Sequence, residues 1–343
     1  MPGAGWTLPR KNRLYTSSYG HLSHQARGNR SAEKLTMSLK FLHFIPLPHH
    51  VKPGSFDHAA IHYASGHLFV AHTVNNTLDV IDCVSSQYLY SINDLTGVAG
   101  ALVSDERNLV FTSNRGENTV GIFSPTNEQN LVKVPVGVHP NGLSFDPRRG
   151  LLLVANVGIP DLPSSFTLSM VDVQRKEMIH SIPVAGRTRW TVFDAQANAF
   201  YVNIADPAQI VTVNISAPHR IAHTLAIPTV GPHGLDLDIE NRRLFCACDA
   251  GKLLVIDLAT GSVKGDASLS GTPDVIFYNP ALRHLYVAVG DPGVIDVFDT
   301  TTLTRLETIS TEKGAHTIAF DAQRNKVYAF LPQTHRAQVF ADA

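Results

Sequence analysis

Residues 138–156 read VHPNGLSFDPRRGLLLVAN, and the pattern inside this stretch decides the fold. Leu143 and Phe145 alternate with Ser144 and Asp146, as in a strand with one buried face. Asp146, Pro147 and Gly150 supply turn chemistry, and Leu151–Ala155 is a second apolar run. The arrangement returns at 231–249 (GPHGLDLDIENRRLFCACD), 272–289 (TPDVIFYNPALRHLYVAV) and 314–330 (GAHTIAFDAQRNKVYAF). Working outward, each hairpin is followed by a third strand, such as TLDVID (77–82) or VIDVFD (294–299), and then a fourth, such as EMIHSIPV (177–184). Four antiparallel strands joined by short turns make one propeller blade, which buries its faces only against other blades.

Aligned on the turn, copies of about 40 residues begin near Asp57, Val98, Pro140, Thr188, Pro232, Pro273 and Ala315. The last copy stops after its third strand, and the segment LKFLHFIP (39–46) matches the fourth-strand pattern MIHSIP (178–183). The sequence therefore predicts an all-β, seven-bladed propeller closed by its N-terminal strand, which leaves no open sheet edge. An open β-sandwich would leave the complementary ends of the repeat array unexplained.

Several segments carry a family likeness: FYVN (200–203), LLVAN (152–156), NTLDVID (76–82), NTVGIF (118–123) and VGVHPNGLSF (136–145). On these the chain resembles the YVTN-repeat β-propellers from residue 39 to its end. The resemblance implies the fold and says little about activity. In architecture the chain is also similar to virginiamycin B lyase and gluconolactonase-like propellers. The Glu/Asn/Asp metal set of the latter has no match here.

Composition narrows the function. The formal net charge is -1 with charged residues at 17%, which gives no basic surplus for nucleic acid. No apolar run reaches membrane-spanning length, and no signal-peptide core precedes the repeats, so a cytoplasmic, monomeric protein is expected. Residues 1–37, polar and locally basic, read as a disordered leader before a single domain over 38–343, with Met37 a possible true start. The three cysteines, Cys83, Cys246 and Cys248, suit a reducing compartment.

The 17 histidines are the compositional oddity. The inner strand of each blade lines the channel, and the position five residues before its turn residue holds His58, Ala99, Asn141, Arg189, His233, Asp274 and His316. Blades 1 and 4 fit only with a turn one residue shorter. His233, Asp274, His316 and His58 fall on consecutive blades, so three imidazoles and a carboxylate converge on one axis. Such a set suits a divalent transition metal (zinc, iron, copper or manganese) better than calcium or magnesium. It equally suits histidines that cap strand ends around a wet pore. The end of the second strand holds His72, Asn114, Asn156, Asn203 and Cys248. His72 is a further candidate ligand, and the asparagines are candidate substrate contacts or turn ties. Arg189 and Trp190, with Asn141, are expected to hold a substrate, and Asp274, Asp249 and Arg189 to act on it.

Two functional classes follow. One is a metal-dependent lyase, lactonase or other hydrolase, or isomerase acting on a small organic molecule at the channel mouth. The other is a non-catalytic propeller that binds a ligand or a protein partner. Few aromatics fall at predicted loop tips, which favours a small-molecule substrate.

Overall fold

The computed structural model describes residues 38–342. The expectation of a disordered leader over residues 1–37 lies outside the described residues. Seven four-stranded antiparallel sheets form seven blades, and in six of them the four strands follow one another in sequence. The seventh consists of Ile318–Asp321, Lys326–Leu331 and Arg336–Asp342, with Leu39–Pro46 as its outer strand. That N-terminal strand pairs antiparallel with the C-terminal one from Leu39 opposite Asp342 to Pro46 opposite Arg336. Among the described residues no helix is long and apolar enough to cross a membrane.

The inner hairpin turn shows how the repeat is written in side chains. Its last residue has positive φ in every blade: Gly66, Asn108, Gly150, Asn198, Arg242, Arg283 and Asn325. Its first residue accepts the backbone N–H groups two or three positions on, as Asp146 does from Arg148 and Arg149, and Asp321 from Gln323 and Arg324. Short polar side chains are favoured at that place for this reason. His62 fills it in blade 1, where its Nδ1 takes the Ser65 amide at 3.2 Å. His62 is thus a turn residue, buried and away from the channel chemistry.

The apolar core is divided by interface. Phe69, Leu78 and Val80 of blade 1 pack on Val98, Val110 and Phe123 of blade 2. A comparable cluster fills each of the other six junctions, including blades 7 and 1, where Ile45 and Leu47 join Phe56, Tyr328 and Phe330. Each blade buries its faces only against its neighbours, so closure of the ring is part of the core.

Candidate functional site

The channel column sits where the inner strands leave their ladders. Register with the second strand slips between Val98 and Gly100, Pro140 and Leu143, Thr188 and Thr191, Pro232 and Gly234, and Pro273 and Ile276. These slips contain Ala99, Asn141, Arg189, His233 and Asp274. A β-bulge releases a residue from pairing and re-aims its side chain, as at the rims of active sites. The bulged backbone is anchored by the preceding blade. The His58 amide donates to Ala99 O at 3.0 Å, the Ser113 hydroxyl to Asn141 O at 2.7 Å, and Asn203 Nδ2 to His233 O at 2.9 Å. Where no donor serves, a glycine allows close approach: a Cβ on Gly142 would collide with Arg189 O, and one on Gly234 with Asp274 O.

At the mouth these residues form a chain of alternating charge. Arg189 Nη2 lies 3.2 Å from Asp249 Oδ2, and Asp249 Oδ1 lies 2.7 Å from His233 Nδ1. His233 Nε2 stands 3.1 Å from both Arg189 Nη1 and Asp274 Oδ1, and Asp274 Oδ2 is 3.9 Å from His316 Nε2. Burial works against the His233 charge, but Asp274 and Asp249 outweigh it, and its pKa is pushed up to about 9. Burial likewise opposes the Asp274 charge, yet His233, His316 and His58 hold its carboxyl well below the usual carboxylate range. At neutral pH the pair is an imidazolium beside a carboxylate.

Next to this chain lies a second group, which joins His58 and Trp190 to Asp57, Arg115 and Arg187, three residues that the sequence reading did not assign to the site. His58 Nε2 is 3.3 Å from Asp57 Oδ1, and Asp57 Oδ2 is 3.6 Å from Arg115 Nη2. Burial lowers the pKa of His58, and its ring packs on Trp190 with centroids 4.2 Å apart. Arg187 makes no ion pair among the described residues; burial and the nearby Arg189 and Arg115 charges lower its pKa. The signal for Arg115 was available, because it follows Asn114 in the repeat as Asp249 follows Cys248.

The structure separates the remaining expected residues. Asn114, Asn156 and Asn203 are 0% exposed, so they cannot meet a substrate. Asn114 donates to Thr119, Asn156 to Thr167 and Ser169, and Asn203 to the backbone of the next blade. Asn141 is buried on the bulge, and Cys248 is a free core thiol 3.8 Å from that of Cys246. His72 does not join the mouth. It is 0% exposed, with Nδ1 bonded to Asp79 at 2.7 Å and Nε2 to His50 Nδ1 at 2.6 Å.

Tested against a divalent metal, this donor set does not fit as arranged. The Asp249–His233 bond resembles the carboxylate–histidine pairing behind many metal ligands. The nitrogen a metal would need, however, faces the permanently charged Arg189 guanidinium. His58 is engaged with Asp57 and Trp190, and His72 with Asp79 and His50. Among the described residues, no group of three or more His, Cys, Asp or Glu side chains is placed to hold a metal ion.

The class these features define is a seven-bladed β-propeller with a charged, bulge-presented site at one mouth. No family model matches the chain, and the YVTN-repeat family is not shown for it. No curated protein matches it either. Among solved structures the chain is similar to hydrazine synthase from Kuenenia stuttgartiensis, with a TM-score of 0.75 and 13% identity over 86% of this chain and 98% of that one. At that identity the likeness is one of fold.

Proposed function

We propose that the mouth binds a small organic anion, carboxylate or phosphate, and that His233 serves it as proton donor in lyase, hydrolase or isomerase chemistry. The observation that carries this reading is that Arg189 stands beside His233, which is held between Asp249 and Asp274, next to Arg187, which makes no ion pair among the described residues. Guanidinium groups grip carboxylate and phosphate through paired N–H donors. An imidazolium with a pKa of about 9 is fully charged at neutral pH and can pass a proton to a developing anion. The step needs no metal, which accords with a histidine nitrogen that faces an arginine. The free buried thiols are compatible with a reducing compartment such as the cytosol.

The test is calorimetric titration of the purified protein with citrate, benzoate and inorganic phosphate. At least one should bind 1:1 and weaken with salt, and Arg189→Gln should reduce that affinity roughly 10- to 100-fold. Absence of binding by all three, or equal binding by a folded Arg189→Gln variant, would overturn the proposal. Metal analysis bears on the same site: stoichiometric metal that disappears in His233→Ala would return the metal-dependent reading. The non-catalytic alternative shares the anion site. It predicts that His233→Gln changes binding alone, with no turnover to lose.

A further inference from the structure

Away from the charged ring the channel changes character. A cavity of about 590 Å³ begins at His58 and Trp190 and reaches Tyr63, Pro147 and Ile239 around the inner hairpin turns of the opposite face. The His58 and Trp190 rings, tilted against each other, therefore stand between two unlike environments. Most of the wall is apolar, including Ala60, Ala101, Val192, Leu237, Phe277 and Phe320. Several of these are only partly buried against the blade cores, so their remaining surface faces the bore.

One side of the wall is polar. On three consecutive blades it carries Ser144, Thr191 and Asp236. The Ser144 and Thr191 hydroxyls bond each other at 2.9 Å. Asp236 accepts the Leu237 amide through Oδ1 and the Tyr278 amide through Oδ2, both at 2.7 Å. Each oxygen keeps a lone pair for another donor. Burial raises the pKa of this carboxyl to about 6 against those two hydrogen bonds. A concave apolar wall with a few convergent polar groups is the usual form of a small-molecule pocket.

We propose that the bore is a second binding site, separate from the charged mouth, for an uncharged aromatic or alicyclic molecule that carries one hydroxyl or N–H donor. The ring system covers the apolar wall and the donor pairs with Asp236. An anionic ligand is refused, since it would bring a second negative charge against Asp236 away from bulk water.

The probe is 2-naphthol, compared with naphthalene and 2-naphthoate, on the full chain carrying Trp6→Phe so that Trp190 is the single tryptophan. Saturable 1:1 quenching of Trp190 emission by 2-naphthol is expected. Naphthalene should bind about 3- to 10-fold more weakly, the worth of one hydrogen bond. In the wild type 2-naphthoate should bind at least about tenfold more weakly than 2-naphthol, and Asp236→Asn should recover roughly that factor for 2-naphthoate alone. Ala60→Phe, which fills the bore, should weaken 2-naphthol about tenfold or more. Any of three results would overturn the proposal: no saturable quenching, equal binding of 2-naphthoate and 2-naphthol, or unchanged 2-naphthol affinity in a folded Ala60→Phe variant. Asp236→Asn keeps the test open if the bore-filling variant does not fold.

Discussion

Two histidines of this propeller make the same bond to a carboxylate and do different work. His233 in blade 5 and His72 in blade 1 each place Nδ1 2.7 Å from an aspartate. His72 and Asp79 are both 0% exposed, and most of the bonds around them close within the protein. Asp79 Oδ1 accepts the Thr77 and Ser91 hydroxyls at 3.1 and 2.6 Å, and His72 Nε2 meets His50 Nδ1, with Phe56 against both rings. His233 instead keeps 12% of its side chain in contact with solvent and Asp249 keeps 27%, and its far nitrogen is contested by Arg189 and Asp274. A carboxylate–histidine pair is therefore no signature of function by itself. What matters is whether the chain of polar partners ends in the core or at an opening.

The sharpest break in this comparison is in stability. Asp79→Ala removes the acceptor for His72 and for two hydroxyls in a space that water does not reach. Loss of one partner of a buried pair costs about 3–5 kcal/mol, and chemical denaturation should show a loss of that order. Asp249→Asn at the mouth leaves its neighbours within reach of solvent and should cost less than about 1 kcal/mol. Comparable losses in the two variants would mean that the mouth is as much a structural element as the seam.

A smaller effect sharpens the same contrast by titration. His233 owes its raised pKa of about 9 to Asp274 and to Asp249, against burial. Ring NMR signals of His233 should move their midpoint toward lower pH in Asp249→Asn. An unchanged His233 midpoint would show that Asp274 alone sustains the imidazolium.

The sequence carried some of this and not the rest, for identifiable reasons. Turn chemistry and period-two alternation recur in every blade, so the repeat, its count and the closing segment 39–46 could be read directly. The column bearing Arg189, His233, Asp274 and His316 could be read because blade geometry sends one repeat position to the axis. His58 needed an offset alignment, since it stands four residues before its turn residue His62 whereas His316 stands five before Asp321. Asn114, Asn156 and Asn203 misled because an asparagine that ties two strands and one that greets a substrate look alike in a strand-end pattern. The seam was hidden by distance. His50 meets His335 from 285 residues away, with its amide 3.4 Å from His335 Nδ1. Spacing likewise shows that imidazoles converge, and not that a neighbouring arginine faces the nitrogen a metal would take.

The two histidine regions should also separate on the pH axis, with opposite signs. His233 has a folded pKa raised from 6.5 to about 9, so its contribution is fully present below about pH 6.5 and is lost as pH rises through 9. His50 is the reverse. Burial, with His72 and His335 beside it, lowers its pKa from 6.5 to about 4. The unfolded chain then takes up a proton between pH 6.5 and 4 that the folded chain refuses, and stability falls as pH drops through that window. His58 and His335, also held down chiefly by burial, add to the same acid flank. Stability followed by denaturant midpoint across this range should therefore peak near neutrality. His233→Gln should flatten the alkaline flank, and, because His233 holds the Asp274 carboxyl low, it also alters the acid side. His50→Gln should flatten the acid flank in part, because His58 and His335 remain, and should leave the alkaline flank unchanged. If His50→Gln altered the alkaline flank, the mouth and the buried His50–His72 group would be one coupled system, and the separation drawn from their hydrogen bonds would fail.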